Sequence, residues 1–263
     1  MNATLHSPAH HQALPAAILA LARSSARELA CLIGLWLCAV PAQAQSPIGT
    51  VTHLSGTLVA TDAAGKTRAL SVKSPIQVGE TLSTQDKTYA RVKFQDGAEV
   101  VMRPDSQLAV NQYAYAAESP AQDNQALSLL KGGLRMVTGL LGKRNPDRVS
   151  VGTPTATIGI RGTHFGLLLC QSDCLDIPTV SGQAPADGLH VDVAAGAIAV
   201  TNPAGEQIMQ AGQFGFVQGI NSPPVVVPPS QGIQVTMPQS ISQNNSDGRS
   251  VGRTSHATEC VVQ

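Results

Sequence analysis

The sequence is poor in charged and aromatic residues. Only 13% of its 263 residues are charged, the formal net charge is zero, and aromatic residues make up 3%. Without an overall basic field, the chain is not expected to gather nucleic acid or an anionic membrane surface. The three Tyr, four Phe and single Trp also offer few rings for stacking on sugars, and the Trp lies in the N-terminal apolar run. The low charge and the few aromatic rings therefore argue against nucleic acid, anionic membranes and stacked sugars as ligands.

The sequence also lacks the local motifs of common enzyme classes. It has no Gly-Xaa-Ser-Xaa-Gly motif, no Walker-type phosphate loop and no zinc signature. His53, His164 and His190 are far apart in the chain, each within a strand-like stretch. Asp173 and Asp176 could form a calcium site or a carboxylate dyad, but solvated loop acids are the expected state. We therefore predict a protein that is not an enzyme and uses no cofactor or metal.

Cysteine is scarce, with five in the chain. Cys31 and Cys38 belong to the N-terminal segment, whereas Cys170 and Cys174 stand close together. An oxidising compartment would allow this second pair to form a disulfide that clips a turn. A metal site is the alternative, but no second Cys or His pair stands at zinc-like spacing. Cys260 is left without a partner.

The N-terminal segment has the pattern of an export signal. Arg23 and Arg27 precede an apolar run over residues 29–40, and the small residues at 42–44 suit cleavage. The alternative is an uncleaved anchor, but a run of about a dozen residues is short for a hydrocarbon core that needs about 20. We expect residues 1–44 to be a signal peptide and the mature protein to be periplasmic or secreted, without stable membrane insertion.

The 24 Gly and 17 Pro favour short strands and turns over long helices. Alternation over residues 89–94 places Ala90, Val92 and Phe94 on a core-facing side. Asp96-Gly97 follows, a dipeptide typical of tight hairpins, and residues 99–102 would return as the partner strand. The sequence therefore predicts an all-β fold.

Further strands are expected at residues 127–130 and 134–137, with Gly132-Gly133 between them, and at 149–151, 155–158, 165–169, 189–193 and 198–201. Residues 56–66 are echoed by residues 196–206, and residues 78–80 by 211–213. Each copy has a Gly before a strand, a turn led by Asp or Asn, and a second strand ending at a Gly. Similar units at both ends suggest a β-solenoid or a β-sandwich, and the sequence leaves both open.

Composition sets the predicted domain boundaries. Residues 45–220 form one β domain, within which the stretch between Tyr113 and Gln125 is an exposed loop because it contains Pro and lacks an apolar period. Residues 221–263 are rich in Pro, Ser, Gln and Asn, and we predict a mostly disordered tail there. The Val225-Val226-Val227 run between two Pro pairs could dock as an edge strand.

Several segments resemble the FecR domain in order and spacing. They are residues 49–51, 54–59, 78–84, 90–100, 129–135 and 151–165, and together they span about residues 48–170. The last segment, with its Thr-Pro and Arg-Gly-Thr, is the most specific. The resemblance singles out the motif residues Gly56, Gly79, Asp96, Gly97, Gly133, Pro154, Arg161, Gly162 and Thr163.

The resemblance implies an envelope-side domain like that of regulators that carry signals from iron-uptake receptors to a sigma factor. Such regulators have a cytoplasmic anti-sigma segment, for which residues 1–28 are too short, so direct control of a sigma factor is not expected. We expect structural roles for the motif residues. Asp96 and Gly97 would form a turn, and Arg161 would hydrogen-bond carbonyls or a carboxylate within the domain.

Two functions follow. The first is a non-enzymatic envelope module for protein binding or signal relay, which would use exposed sheet edges that accept a partner strand. The alternative is an exported small-molecule or glycan-binding protein associated with the cell wall, with ligand held on a sheet face.

Overall fold

The computed structural model describes residues 46–177, 179 and 182–242, and nearly all regular structure in them is β-strand. Two short helices, α1 (Leu140–Arg144) and α2 (Gln239–Ser242), and two 3-10 turns, Pro120–Gln122 and Pro146–Arg148, accompany the strands. The strands in this part of the chain are β1 (Gly49–Leu54), β2 (Leu58–Thr61), β3 (Thr67–Leu70), β4 (Pro75–Ile76), β5 (Thr81–Thr84), β6 (Ala90–Phe94), β7 (Glu99–Met102), β8 (Gln107–Ala114), β9 (Asn124–Val137), β10 (Val149–Gly152), β11 (Thr157–Cys170), β12 (Gly188–Asn202), β13 (Gly205–Gln210), β14 (Phe214–Val217) and β15 (Val225–Val227).

The predicted all-β fold is confirmed. Among the described residues, no helix has both the length and the apolar character that a membrane span requires. The predicted signal peptide, residues 1–44, lies outside the described residues.

The strands form one hydrogen-bonded network with two branches that share the long strands β9, β11 and β12. Branch A has the order β3-β2-β5-β8-β9-β10-β11-β12-β13, and branch B has the order β4-β1-β6-β7-β9-β11-β12-β14-β15. The first half of β9 pairs with β8 and β10, and its second half pairs with β7 and β11. Of the pairings in the described chain, only that of β9 with β10 is parallel.

The hydrophobic core lies between the two branches. Leu127 and Val200 on the inner face of branch A, and Val92 and Leu189 on that of branch B, belong to one buried cluster. The alternation of side chains along each strand supplies one inner row per strand. Because one cluster receives both inner faces, the branches pack as the layers of a sandwich, which is one of the two predicted architectures.

Each long strand bends where it passes from one branch to the other. Gly132, Gly162 and Gly196 lie at these bends with φ of +74°, +64° and +76°. The register of β11 against β12 shifts beside Gly162, between Arg161 and His164. The sequence predicted separate strands on the two sides of each bend, and that prediction was wrong. A single residue with positive φ makes a bulge that turns a strand without reversing it.

The predicted internal repeat corresponds to two similar hairpins, β2–β3 and β12–β13, at opposite ends of branch A. Asp62 Oδ1 accepts hydrogen bonds from the N–H groups two and four residues on, and Asn202 Oδ1 accepts one from two residues on. Gly79 and Gly212, which end the two copies, share a φ of +84°. The sequence repeat is therefore also a repeat of turn geometry.

The predicted exposed loop over residues 113–125 is fastened to the domain by Arg144. Its guanidinium forms a two-point ion pair with the buried carboxylate of Asp123 and donates to Ala116 O at 2.8 Å. It also lies 4.7 Å from the ring centroid of Tyr115. Hydrogen bonding from Arg144 holds the pKa of Asp123 below its usual range, although burial opposes it. The loop is thus anchored at both ends.

The predicted tail begins too early at residue 221. The Val225-Val226-Val227 run forms β15, the outermost strand of branch B, as the flanking Pro pairs suggested. Beyond it, Ile233, Val235 and Ile241 are buried. The average composition of 43 residues concealed a short stretch with enough apolar surface to pack. Residues 243–263 lie outside the described residues.

The bend at Gly162 predicts a conformational cost for any side chain there. Gly162→Ala should lower the free energy of unfolding by about 1–2 kcal/mol, although no atom lies within 4 Å of the added Cβ. Gly196→Ala should cost more, because its Cβ would lie 2.4 Å from Gly162 O. Urea denaturation of each variant measures both effects.

Gly159→Ala, in the same strand, is the matched control. Its φ is not in the left-handed region and the nearest atom to its Cβ is 3.8 Å away, so its stability should change by no more than about 0.5 kcal/mol. Equal losses at residues 159 and 162 would show that the bend does not require glycine.

Candidate binding groove

The outer face of branch B is covered by residues 231–241, here called the strap. On this face Val101 and Leu168 are only 7% and 4% exposed, although the strands present them away from the core. The strap is extended up to α2 and follows a turn at Pro228 and Pro229. The sheet face and the strap together therefore form a second, smaller interior.

Apolar side chains hold one end of the strap. Leu168, Cys170, Cys174, Ile233 and Val235 form a buried cluster, distinct from the main core. Cys170 and Cys174 are joined in the predicted disulfide. The disulfide thus supplies part of the apolar surface against which the strap packs, besides closing a turn.

A buried ion pair forms hydrogen bonds to the backbone of the strap. Arg135 Nη1 lies 3.1 Å from Asp192 Oδ2, and their side chains are only 15% and 6% exposed. Asp192 Oδ2 accepts from Val235 N at 3.0 Å, and Arg135 Nη1 donates to Val235 O at 2.6 Å. One residue of the strap is therefore bound through both of its backbone polar groups by a pair of opposite charges.

Two glycines make room for these contacts. A Cβ on Gly166 would lie 2.6 Å from both Val235 Cβ and Asp192 Oδ1, and one on Gly133 would lie 2.9 Å from Arg103 Cδ. Arg103 reaches across Gly133 and donates to Thr236 O at 3.1 Å. The sheet face is shaped for the close approach of a second chain segment.

His164 completes the polar cluster. Arg135 Nε donates to His164 Nε2 at 2.7 Å, so this ring nitrogen acts as an acceptor and the ring is neutral. Burial lowers the pKa of His164, the positive charge of Arg135 lowers it further, and Asp192 opposes the shift. Protonation of His164 would place a second positive charge against Arg135.

A cavity remains open beside the strap. Its volume is about 480 Å³ and its walls include Glu99, Val101, Val137, His164, Met237 and Ile241. This size lies within the range of small-molecule sites. A second cavity of about 440 Å³ lies near His190, Phe216 and Ile233. Burial lowers the pKa of His190, while its bond to Ala186 O opposes the shift. Within the described residues, no three His, Cys, Asp or Glu side chains are grouped as metal ligands.

The structure does not bring the predicted motif residues together in one site. They occupy turns, strand bends and buried junctions in different parts of the domain: Gly56 and Gly79 between strands, Asp96 and Gly97 in the β6–β7 turn, Gly133 in β9, Pro154 between β10 and β11, and Arg161, Gly162 and Thr163 in β11. The space between the outer face of branch B and the strap is here called the groove. Gly133 lies in its floor, and Thr163 directly precedes His164.

Asp96 is a buried acceptor that joins three elements. Its carboxylate accepts hydrogen bonds from the N–H groups of Ala98 and Leu141, at 3.2 Å each, and from the hydroxyl of Tyr113 at 3.1 Å. Burial raises the pKa of Tyr113, and the negative charge of Asp96 adds to this effect. These contacts link the β6–β7 turn to α1 and β8, which is a structural role.

Arg161 differs from its expected internal position. Its side chain is 60% exposed, and its nearest ionic partner is Asp147, at 4.0 Å and itself 88% exposed. That separation is too long for a hydrogen bond. Alternation explains the difference, because Ile158 and Ile160 of β11 face the core and Arg161 follows them on the outward side.

The sequence did not identify Arg135, Asp192 or the strap. A signal was present: Arg135 and Asp192 are opposite charges at outward positions of strands whose other outward positions include the apolar Val137 and Leu168. Each charge alone is typical of a solvated sheet face, so only their pairing across β9, β11 and β12 shows the site.

Comparison with known proteins relates part of the domain to a family. Residues 80–199 match the family described as FecR protein. This match agrees with the resemblance that the sequence motifs indicated. The matched segment includes Arg135, His164 and Asp192, whereas the strap lies beyond it.

Two crystal structures of a candidate anti-sigma factor from Parabacteroides distasonis ATCC 8503 are similar to the chain. Each is 14% identical, over 62% of this chain and 62% of that one, with TM-scores of 0.42 and 0.41. A structure described as a cell surface anchoring domain is 34% identical over 24% of this chain and 82% of its own, with a TM-score of 0.23. No curated protein matches the chain.

The buried ion pair predicts a large effect at Asp192. Asp192→Ala should lower the free energy of unfolding by about 3 kcal/mol, because it leaves the Arg135 charge and the Val235 N–H buried without their acceptor. Urea denaturation measures the loss. Arg161→Ala is the control, and it should have little effect because its ion pair is long and exposed. Similar losses in both variants would contradict the assigned role of the pair.

The two shifted histidines predict destabilisation by mild acid. The unfolded chain takes up a proton at each near pH 6.5, whereas the folded chain resists it because burial lowers both pKa values. The contribution of the two neutral histidines to the free energy of unfolding should be fully present above that pH. It should be lost as the pH falls through 6.5 toward 5.5. The double variant His164→Gln, His190→Gln should show a shallower fall in urea denaturation. A stability that rises on acidification would be incompatible with this account.

Proposed function

We propose that this chain is a non-enzymatic FecR-domain protein of the cell envelope that binds another envelope protein and relays a signal through that contact. The FecR match over residues 80–199 supports a regulatory module. The export-signal pattern of residues 1–44 supports a periplasmic or secreted location. The Cys170–Cys174 disulfide suits the same oxidising compartment.

The groove is the observation that carries the proposal. It binds an extended segment through backbone hydrogen bonds and apolar side chains, which is how many domains bind partner peptides. The binding face is made by β7, β9, β11 and β12, and the strap is a separate segment beyond the last strand. Once the strap leaves, a partner can therefore reach the face without any change in the sheet.

Two of the four edge strands, β15 and β13, are less suitable for docking than this face. β15 lies between Pro pairs, which limits further pairing. On β13, the side chain of Gln207 donates to Ile208 O, and Gln213 accepts from Gln210 N. These bonds occupy backbone groups that a partner strand would need. We therefore assign protein binding to the face of branch B in preference to these two edges.

The polar groups of the groove support a binding role over catalysis. Arg135, Asp192 and His164 bond to one another and to the strap backbone. A catalytic group has to be available to a substrate, whereas these are engaged in holding a peptide. The absence of catalysis remains a prediction.

The alternative function is binding of a small molecule or glycan. The 480 Å³ cavity favours it, since its volume and mixed lining of apolar and charged groups suit a small ligand. In that case a ligand should raise the melting temperature of the purified protein without any protein partner.

Site-specific photo-crosslinking tests the proposed function. A photoreactive residue at Val137, in the cavity wall, should yield a single adduct with one envelope protein in intact cells. The control position is Thr201, which is exposed on branch A and should give no such adduct. Equal adducts from both positions, or none from either, would contradict protein binding at the groove. No adduct together with a ligand-induced melting shift would support the alternative.

A further inference from the structure

We infer that the outer face of branch B is a receptor site for an extended peptide segment of the partner, with apolar side chains at alternate positions, and that the strap occupies this site as an internal ligand. The inference rests on the proposed function and specifies the chemical class of the partner. The strap itself shows the pattern, because Ile233, Val235 and Met237 alternate with Gln234 and Thr236.

This face binds a segment through hydrogen bonds to its backbone and through burial of every second side chain. Asp192 and Arg135 bind the N–H and C=O of Val235, and Arg103 binds the C=O of Thr236. None of these bonds involves a side chain of the strap. Ile233 and Val235 are buried, whereas Gln234 and Thr236 are exposed. Any extended segment with apolar residues at the buried positions can make the same contacts.

The strap can detach without breaking the backbone hydrogen bonds of the sheet. Among the described strands, none pairs with residues 231–238. Side chains of the sheet hold the strap, and the Pro228 turn separates it from β15. Its release would therefore break side-chain contacts and leave the backbone ladder intact.

The strap fills the site incompletely. Met237 and Ile241 border the 480 Å³ cavity, whose other walls are Val101, Val137 and His164. A segment with a larger apolar side chain at the position of Met237 would bury more surface there. Such a partner gains contacts that the internal ligand lacks, which allows it to displace the strap despite the high effective concentration of an attached segment.

The expected competition can be measured with a labelled synthetic peptide of residues 231–242 and the full chain. Val235→Asp in the chain places a charge at a buried position and releases the strap. Fluorescence anisotropy should then show peptide binding about tenfold or more tighter than to the unaltered chain, where the attached strap competes. The same peptide carrying Val235→Asp should not bind. A peptide carrying Met237→Phe should bind several-fold tighter than the natural sequence.

A second form of the protein provides a control in case the Val235→Asp variant does not fold. A protease site inserted between Ser230 and Gln231, which are exposed, allows the strap to be cut from an otherwise native chain. The cut strap should exchange with the labelled peptide, and circular dichroism should remain that of the β fold. If the peptide binds neither the cut chain nor the Val235→Asp chain, the inference is overturned.

The outcomes also separate this inference from the proposed function. Crosslinks from Val137 without peptide binding would mean that the partner docks through a folded surface, which overturns the peptide class and leaves protein binding intact. Peptide binding combined with a dimer of the unaltered chain that is lost in the Val235→Asp chain would identify the strap of a second copy as the occupant, against a foreign partner. Peptide binding with Val137 crosslinks to one envelope protein supports both.

Discussion

The bending of three neighbouring strands is the constraint on which the fold depends. Gly132, Gly162 and Gly196 allow β9, β11 and β12 to leave branch A and enter branch B. One hydrogen-bonded sheet therefore becomes two layers that enclose a core. The same bends place the second halves of β9 and β11 and the first half of β12 side by side. Arg135, His164 and Asp192 then lie together on the outer face of branch B, although they are distant in sequence.

Much of the local structure follows from the sequence because its causes are local. The β6–β7 hairpin is specified by alternation and by Asp96-Gly97, and Ala90, Val92 and Phe94 are buried as predicted. The repeat predicted two similar hairpins, and both exist. The bent strands could not be predicted, because a glycine with positive φ either reverses or bends a strand according to its non-local partners. Gly132-Gly133 resembles a hairpin turn until β7 and β11 are placed beside it.

The groove was hidden for a different physical reason. A charged residue at an outward strand position normally indicates solvent, and Arg135 and Asp192 taken singly fit that expectation. Their burial depends on the strap, which lies in a segment whose overall composition predicts disorder. The apolar surface that the strap packs against the sheet comes from a few residues, Ile233, Val235, Met237 and Ile241. Composition averages over a long window, whereas packing requires a few side chains at the correct spacing.

A sheet face that carries a desolvated ion pair needs a cover, and the nature of that cover decides what the face can do. A cover built into the sheet would be permanent, because its removal would expose backbone groups that need partners. The strap satisfies Arg135 and Asp192 through its own backbone, so any segment with the same alternation satisfies them equally well. In the proposed function, stability of the domain and selection of a partner thus depend on the same few contacts. Since the unfilled cavity lies beside these contacts, a better-fitting segment can replace the strap while the ion pair stays satisfied.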